Sequence, residues 1–125
     1  MICIVDDDES VLEAIKCLVR SLGYNTVTFS SAEEFLDSGP VEGMECLITD
    51  VQMPGLSGPE LQDRLISDGF RMPVIFVTAH PEERLRERVL RAGAIGYLSK
   101  PFREEHMIEC LDRALNNPNG QNGGL

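Results

Sequence analysis

Met44-Glu45-Cys46-Leu47-Ile48-Thr49-Asp50-Val51-Gln52-Met53-Pro54-Gly55-Leu56-Ser57-Gly58-Pro59-Glu60 carries three structural signals in one short stretch. Residues 44–49 are mostly apolar with no strict alternation, the pattern of a strand whose two faces are both covered. Pro54-Gly55 marks a turn, and Ser57-x-x-Glu60 matches the capping box, in which a hydroxyl and a carboxylate satisfy the free amides of a helix start. A buried strand followed by a helix is the building block of a parallel sheet.

The same block recurs on either side. Short apolar runs at 2–5, 25–29, 74–77 and 95–98 predict four more strands. Ser10-x-x-Glu13 and Ser31-x-x-Glu34 predict two more helix starts. Val11, Ile15, Leu18 and Leu22 form an apolar stripe at helical spacing before Gly23, which places the first helix at 9–22. The fourth helix, at 82–92, carries Leu85, Val89 and Leu90, and Met107, Ile108, Leu111 and Leu115 give the last helix its buried face. Five strand-then-helix units predict an α/β, doubly wound five-stranded parallel sheet with five helices.

At 125 residues the chain has room for one core, and 42% apolar with 26% charged residues excludes a disordered or fibrous protein. The domain is expected at 1–115. Residues 116–125 read Asn-Asn-Pro-Asn-Gly-Gln-Asn-Gly-Gly-Leu, with no apolar face to bury, and are expected to be a flexible polar tail or linker. No apolar run approaches the roughly 20 residues of a membrane span and no leader is evident, so a cytoplasmic protein without membrane contact is expected. Cys3, Cys17, Cys46 and Cys110 lack metal or redox spacing and are expected to be buried free thiols. The net charge of -10 opposes attraction to phosphate backbones, so this chain alone is a poor nucleic-acid binder.

In an open parallel sheet, ligands bind beyond the carboxyl ends of the strands, where strand order reverses. The polar residues that follow the strands are Asp6, Asp7 and Asp8, then Asp50, Thr78 and Lys100. Asp8 and Glu9 fit a helix start enriched in acids. Asp6 and Asp7 joined by Asp50 would crowd carboxylates into one pocket, which is costly unless a cation neutralises them. Oxygen ligands without His or Cys suit a hard ion such as magnesium. The calcium-loop pattern of an EF-hand is absent. An aspartate carboxylate can also act as nucleophile toward phosphorus, with Lys100 supplying a compact cation and Thr78 a hydroxyl donor.

Ile4-Val5-Asp6-Asp7-Asp8, the stretch from Thr49 to Gly58, Val77-Thr78-Ala79, and Gly93-Ala94 with Leu98-Ser99-Lys100-Pro101-Phe102 together resemble the receiver domain of two-component response regulators. The resemblance covers about residues 2–115. It implies a flavodoxin-like strand order of 2-1-3-4-5 and a magnesium site built from Asp7 directly, Asp6 through water, Asp50, and the backbone carbonyl of Gln52. It further implies that Asp50 accepts a phosphoryl group from a histidine kinase, that Thr78 swings toward it, that Lys100 pairs with it, and that the Lys100-Pro101 bond is cis. Tyr97 matches an aromatic switch position that reports to a surface of the fourth helix, fifth strand and fifth helix.

On that surface Arg84, Arg88 and Arg91 face a possible complement in Glu109 and Asp112, and a phosphorylation-dependent homodimer through this region is expected. The resemblance is strongest to receivers that precede a helix-turn-helix output domain, so control of transcription is expected, with DNA bound only through an output domain absent from this chain. A stand-alone switch acting on a partner protein is the alternative. Gln52 and His80 occupy positions that flank the hydrolytic water in this family and are candidates for setting how long the phosphoaspartate lasts. A solvent-exposed cap on the fourth helix is the other reading of His80.

Dehalogenase-like phosphatases also use an aspartate nucleophile, but they place a second Asp two residues on as general acid and base. Here that position is Gln52, which cannot exchange a proton, so no enzyme beyond self-phosphorylation and slow autodephosphorylation is expected. A flavin carrier on the same topology would want a phosphate-cradling loop after the first strand, where this chain has four acids.

Overall fold

The computed structural model describes residues 1–39 and 43–116. Strands β1 (Ile2–Val5), β2 (Thr26–Phe29), β3 (Cys46–Asp50), β4 (Val74–Thr78) and β5 (Gly96–Ser99) alternate with helices α1 (Glu9–Ser21), α2 (Ala32–Asp37), α3 (Gly58–Ser67), α4 (Glu83–Arg91) and α5 (Glu104–Asn116). All pairings are parallel, in the order β2-β1-β3-β4-β5. The expected topology is the one observed.

Unbroken apolar strands feed two cores, because successive side chains point to opposite faces. Cys3 and Val5 of β1, Leu47 of β3, and Val74 and Phe76 of β4 pack with Phe35 of α2, Leu61 and Leu65 of α3, and Val89 of α4. Ile2, Ile4, Cys46, Ile48, Ile75 and Val77 face the other way, onto α1 and α5.

Local readings are corrected in several places. Ser57 and Glu60 form the complete capping box at α3. At α2 Ser31 caps as expected, while Glu34 reaches back to the Ser30 amide. The first helix starts at Glu9 as expected, but the capping box expected at Ser10 and Glu13 is overturned. Asp8 is the cap of α1, its carboxylate accepting from the amides of Ser10 and Val11, because an Asp at the end of the preceding loop outcompetes a serine already inside the helix.

The chain leaves α1 at Leu22, which is 38% exposed; Ile15 is buried and Val11 and Leu18 half-buried as the stripe predicts, and Val19 is buried in place of Leu22. On α5, Met107 and Leu111 are buried as expected and Leu115 is half-buried, but Ile108 is 40% exposed, and Cys110 and Ala114 complete the buried face. Cys17 is exposed on α1, contrary to expectation, while Cys3, Cys46 and Cys110 are buried and free. Burial pushes the Cys46 thiol up to about 12 and the Cys3 thiol to about 11, so neither carries reactive thiolate at neutral pH. Helix α5 runs through Asn116, and the tail expected after it falls outside the described residues.

Candidate functional site

Val5 pairs with Thr49, so Asp6 and Asp50 emerge side by side at the carboxyl ends of β1 and β3. This is the crevice where strand order reverses. Asp6 Oδ1 accepts the amide of Asp8 at 2.8 Å, and Asp50 Oδ1 accepts the amide of Val51 at 2.8 Å. The remaining oxygens face one ammonium: Lys100 Nζ lies 3.0 Å from Asp6 Oδ2 and 3.4 Å from Asp50 Oδ2. Lys100 reaches there from just after β5, and its bond to the following Pro101 is cis. Gly58, at the start of α3, packs so tightly that a Cβ there would collide with the Asp50 carbonyl oxygen.

Asp6, Asp7 and Asp50 each offer a carboxylate oxygen within 4.8 Å of the other two. Burial raises the pKa of Asp50 to about 6, the Asp6 charge adds to the rise, and Lys100 only partly offsets it. Burial also works against the Lys100 ammonium, but Asp6 and Asp50 outweigh it and hold its pKa above the usual lysine value. One ammonium thus pairs with two acids of a cluster of three. Asp6 Oδ2 is buried and accepts no hydrogen bond of good geometry, despite the nearby ammonium. Three clustered carboxylates against a single ammonium leave negative charge and oxygen donors in excess, which fits a hard divalent cation.

Thr78 ends β4, the neighbouring strand, and its Oγ1 accepts the amide of His80 at 3.0 Å. His80 is exposed, as one reading allowed, but it does not cap α4: the cap position is Glu82. The amide of Glu82 donates instead to the hydroxyl of Tyr97 at 3.1 Å. Tyr97, half-buried on β5, therefore touches the start of the helix it was expected to report to. Gln52 is exposed in the loop between Asp50 and α3. On α4, Arg84 and Arg91 are exposed, whereas Arg88 pairs with Asp63 of α3 at 2.7 Å.

Two residues escaped the sequence reading. Buried Gln62 of α3 donates to the carbonyl of Val89 in α4 at 3.2 Å, and Glu33 of α2 accepts the amide of Leu56 at 2.7 Å. Both grip backbone groups distant in the chain, which no side-chain pattern signals. A groove of about 630 Å³ lined by Leu65, Phe70, Met72 and Leu115 includes none of the site's acids.

Three carboxylates and a lysine thus gather at the carboxyl ends of the central strands, with a threonine hydroxyl ending the neighbouring strand. The chain belongs to the response regulator receiver domain family, whose model matches residues 2–112. It is 43% identical over 115 residues to the response regulator protein TmoT of Ectopseudomonas mendocina, a match covering 92% of this chain and 52% of that one. It is 31% identical to the transcriptional regulatory protein FixJ of Bradyrhizobium diazoefficiens, covering 91% of this chain and 56% of that one.

Among solved structures, a receiver protein from Burkholderia phymatum is 45% identical with a TM-score of 0.78, covering 92% of this chain and 94% of that one. The response regulator StyR is 39% identical with a TM-score of 0.85, covering 92% and 58%. The chain spans about half the length of the curated relatives it matches. Among the described residues, no helix is long and apolar enough to cross a membrane.

Proposed function

We propose that this receiver is switched by phosphorylation of Asp50. The observation that carries the reading is Lys100 Nζ set between Asp6 and Asp50, at 3.0 and 3.4 Å, within a cluster of three carboxylates. A carboxylate oxygen of Asp50 attacks the phosphorus of a phosphohistidine on a histidine kinase. The P–O bond forms as the P–N bond breaks, and the departing imidazole takes up a proton. Asp6, Asp7, Asp50 and the carbonyl of Gln52 would hold Mg2+, which when bound offsets charge on the phosphoryl oxygens. Lys100 then exchanges an acid partner for a phosphoryl oxygen, and the Thr78 hydroxyl donates to another.

Because Gln52 cannot serve as a base, the acyl phosphate decays slowly enough to signal. His80 would approach the attacking water, a reading supported by the hydrogen bond of its amide to Thr78 Oγ1, so His80→Ala is expected to slow decay of the labelled protein. Movement of Thr78 reaches the β4–α4 loop through that same amide, and Tyr97 holds the start of α4, so the readout is the face of α4, β5 and α5. That face would mediate a phosphorylation-dependent homodimer. Transcriptional control, through a DNA-binding output domain in a longer chain, is supported by the names of the relatives, and such a switch works in the cytoplasm.

The test is incubation of the whole chain with a small-molecule phosphodonor and Mg2+, followed by intact mass. One phosphoryl group per chain is expected for wild type and none for Asp50→Asn. Equal labelling of the two proteins contradicts the reading.

A further inference from the structure

The loop from Gln52 to Leu56 joins the acceptor aspartate to α3. Its flanks are well fixed: Val51 donates to Val77, Gly58 donates to the Val51 carbonyl at 2.9 Å, and Ser57 is locked with Glu60 in the capping box. Between those flanks, among the described residues, the stretch makes one hydrogen bond. The Leu56 amide donates to Oε2 of Glu33 at 2.7 Å, across 23 residues of sequence. Gly55, with φ of +81°, lies so close that a Cβ there would collide with the same carboxylate. Glu33 itself sits in the first turn of α2, on a helix anchored beneath it by Ala32 and Phe35. A firmly seated helix therefore reaches over with one charged acceptor to clasp the middle of the loop.

We propose that Glu33 is a positioning residue for the metal and phosphoryl site, fixing the loop that presents the Gln52 carbonyl. The inference rests on the reading that Asp6, Asp7, Asp50 and Gln52 bind Mg2+. A hydrogen bond to the Leu56 amide restrains the loop, and groups behind metal ligands commonly govern affinity by holding those ligands in place. Glu33 acts through reach, not as a ligand and not through its charge. Glutamine keeps an acceptor oxygen at the same length, aspartate keeps the charge on a side chain one methylene shorter, and alanine keeps neither.

The experiment titrates Mg2+ into the metal-free whole chain by calorimetry, for wild type and for Glu33→Gln, Glu33→Asp and Glu33→Ala. Hydrogen exchange of the Leu56 amide is followed in the same metal-free samples. Glu33→Ala and Glu33→Asp are expected to bind Mg2+ about tenfold more weakly, with faster Leu56 exchange, and Glu33→Gln to stay within about twofold of wild type on both measures. Weakening in Glu33→Gln but not in Glu33→Asp would assign the effect to charge and overturn the proposal. Four equal affinities would overturn it while leaving the metal reading intact. Failure of wild type to bind Mg2+ would overturn both together.

Discussion

At Asp50, burial and the Asp6 charge penalise the ionised form while Lys100 relieves part of the penalty. A carboxyl whose pKa is about 6 in the folded chain and 3.8 otherwise binds its proton more tightly when folded. Its contribution to stability is therefore full below about pH 4 and is lost as pH rises through 6. Asp50→Asn never carries that charge, so in metal-free buffer it is expected to be more stable than wild type at pH 7, by roughly 1–3 kcal/mol. Denaturant melts at pH 4 and pH 7 check this, with the difference shrinking at the lower pH; a difference independent of pH would count against it. Asp6, Asp50, Thr78 and Lys100 were legible because each interrupts or follows an apolar strand at its carboxyl end, where polarity has no packing explanation. Glu33 and Gln62 were not, because a side chain that bonds a distant backbone amide or carbonyl leaves no trace in spacing.

Helix α4 is the most loosely seated of the elements that could carry a signal. It buries only Val89, with Leu85 and Leu90 half-buried. Polar contacts supplement that grip: the Tyr97 hydroxyl at the Glu82 amide, Gln62 at the Val89 carbonyl, and Asp63 paired with Arg88. Tyr97→Phe removes the contact at the start of the helix while water can replace it at exposed Glu82. Global stability is expected to change by less than about 1 kcal/mol, but exchange of the amides in the first turn of α4 should rise several-fold. Unchanged exchange there would show that Tyr97 does not hold the helix. The sequence placed this helix correctly but could not show how it is held, since its apolar stripe is short. Strand ends were misplaced for a related reason. Apolar runs stop at 49 and 77, yet Asp50 and Thr78 still pair with their neighbours, because the backbone ladder continues beneath a polar side chain.

Across the whole molecule the charge is divided. Residues 1–68 hold 14 acids and three bases, while 69–125 hold seven acids and eight bases. The elements β1 to α3 thus form a strongly acidic side that repels a second copy, and β4 to α5 a nearly neutral side carrying both signs, with Ile108 exposed on α5. Association, where it occurs, is expected on that second side. Sedimentation at high concentration should show a larger species for the phosphorylated chain than for the unphosphorylated one, and identical profiles would contradict it. The architecture was readable at this scale because five repeats of one strand-then-helix pattern admit few arrangements, whereas the pairing of Arg88 with α3 depends on helix orientation that no repeat encodes. The central claim is that the acceptor is Asp50. Borohydride reduction of the phosphorylated chain converts the acyl phosphate to homoserine, which peptide mass spectrometry locates by residue. Homoserine at position 50 alone is the predicted result, and homoserine at Asp6 or Asp7, or at no aspartate, would contradict it.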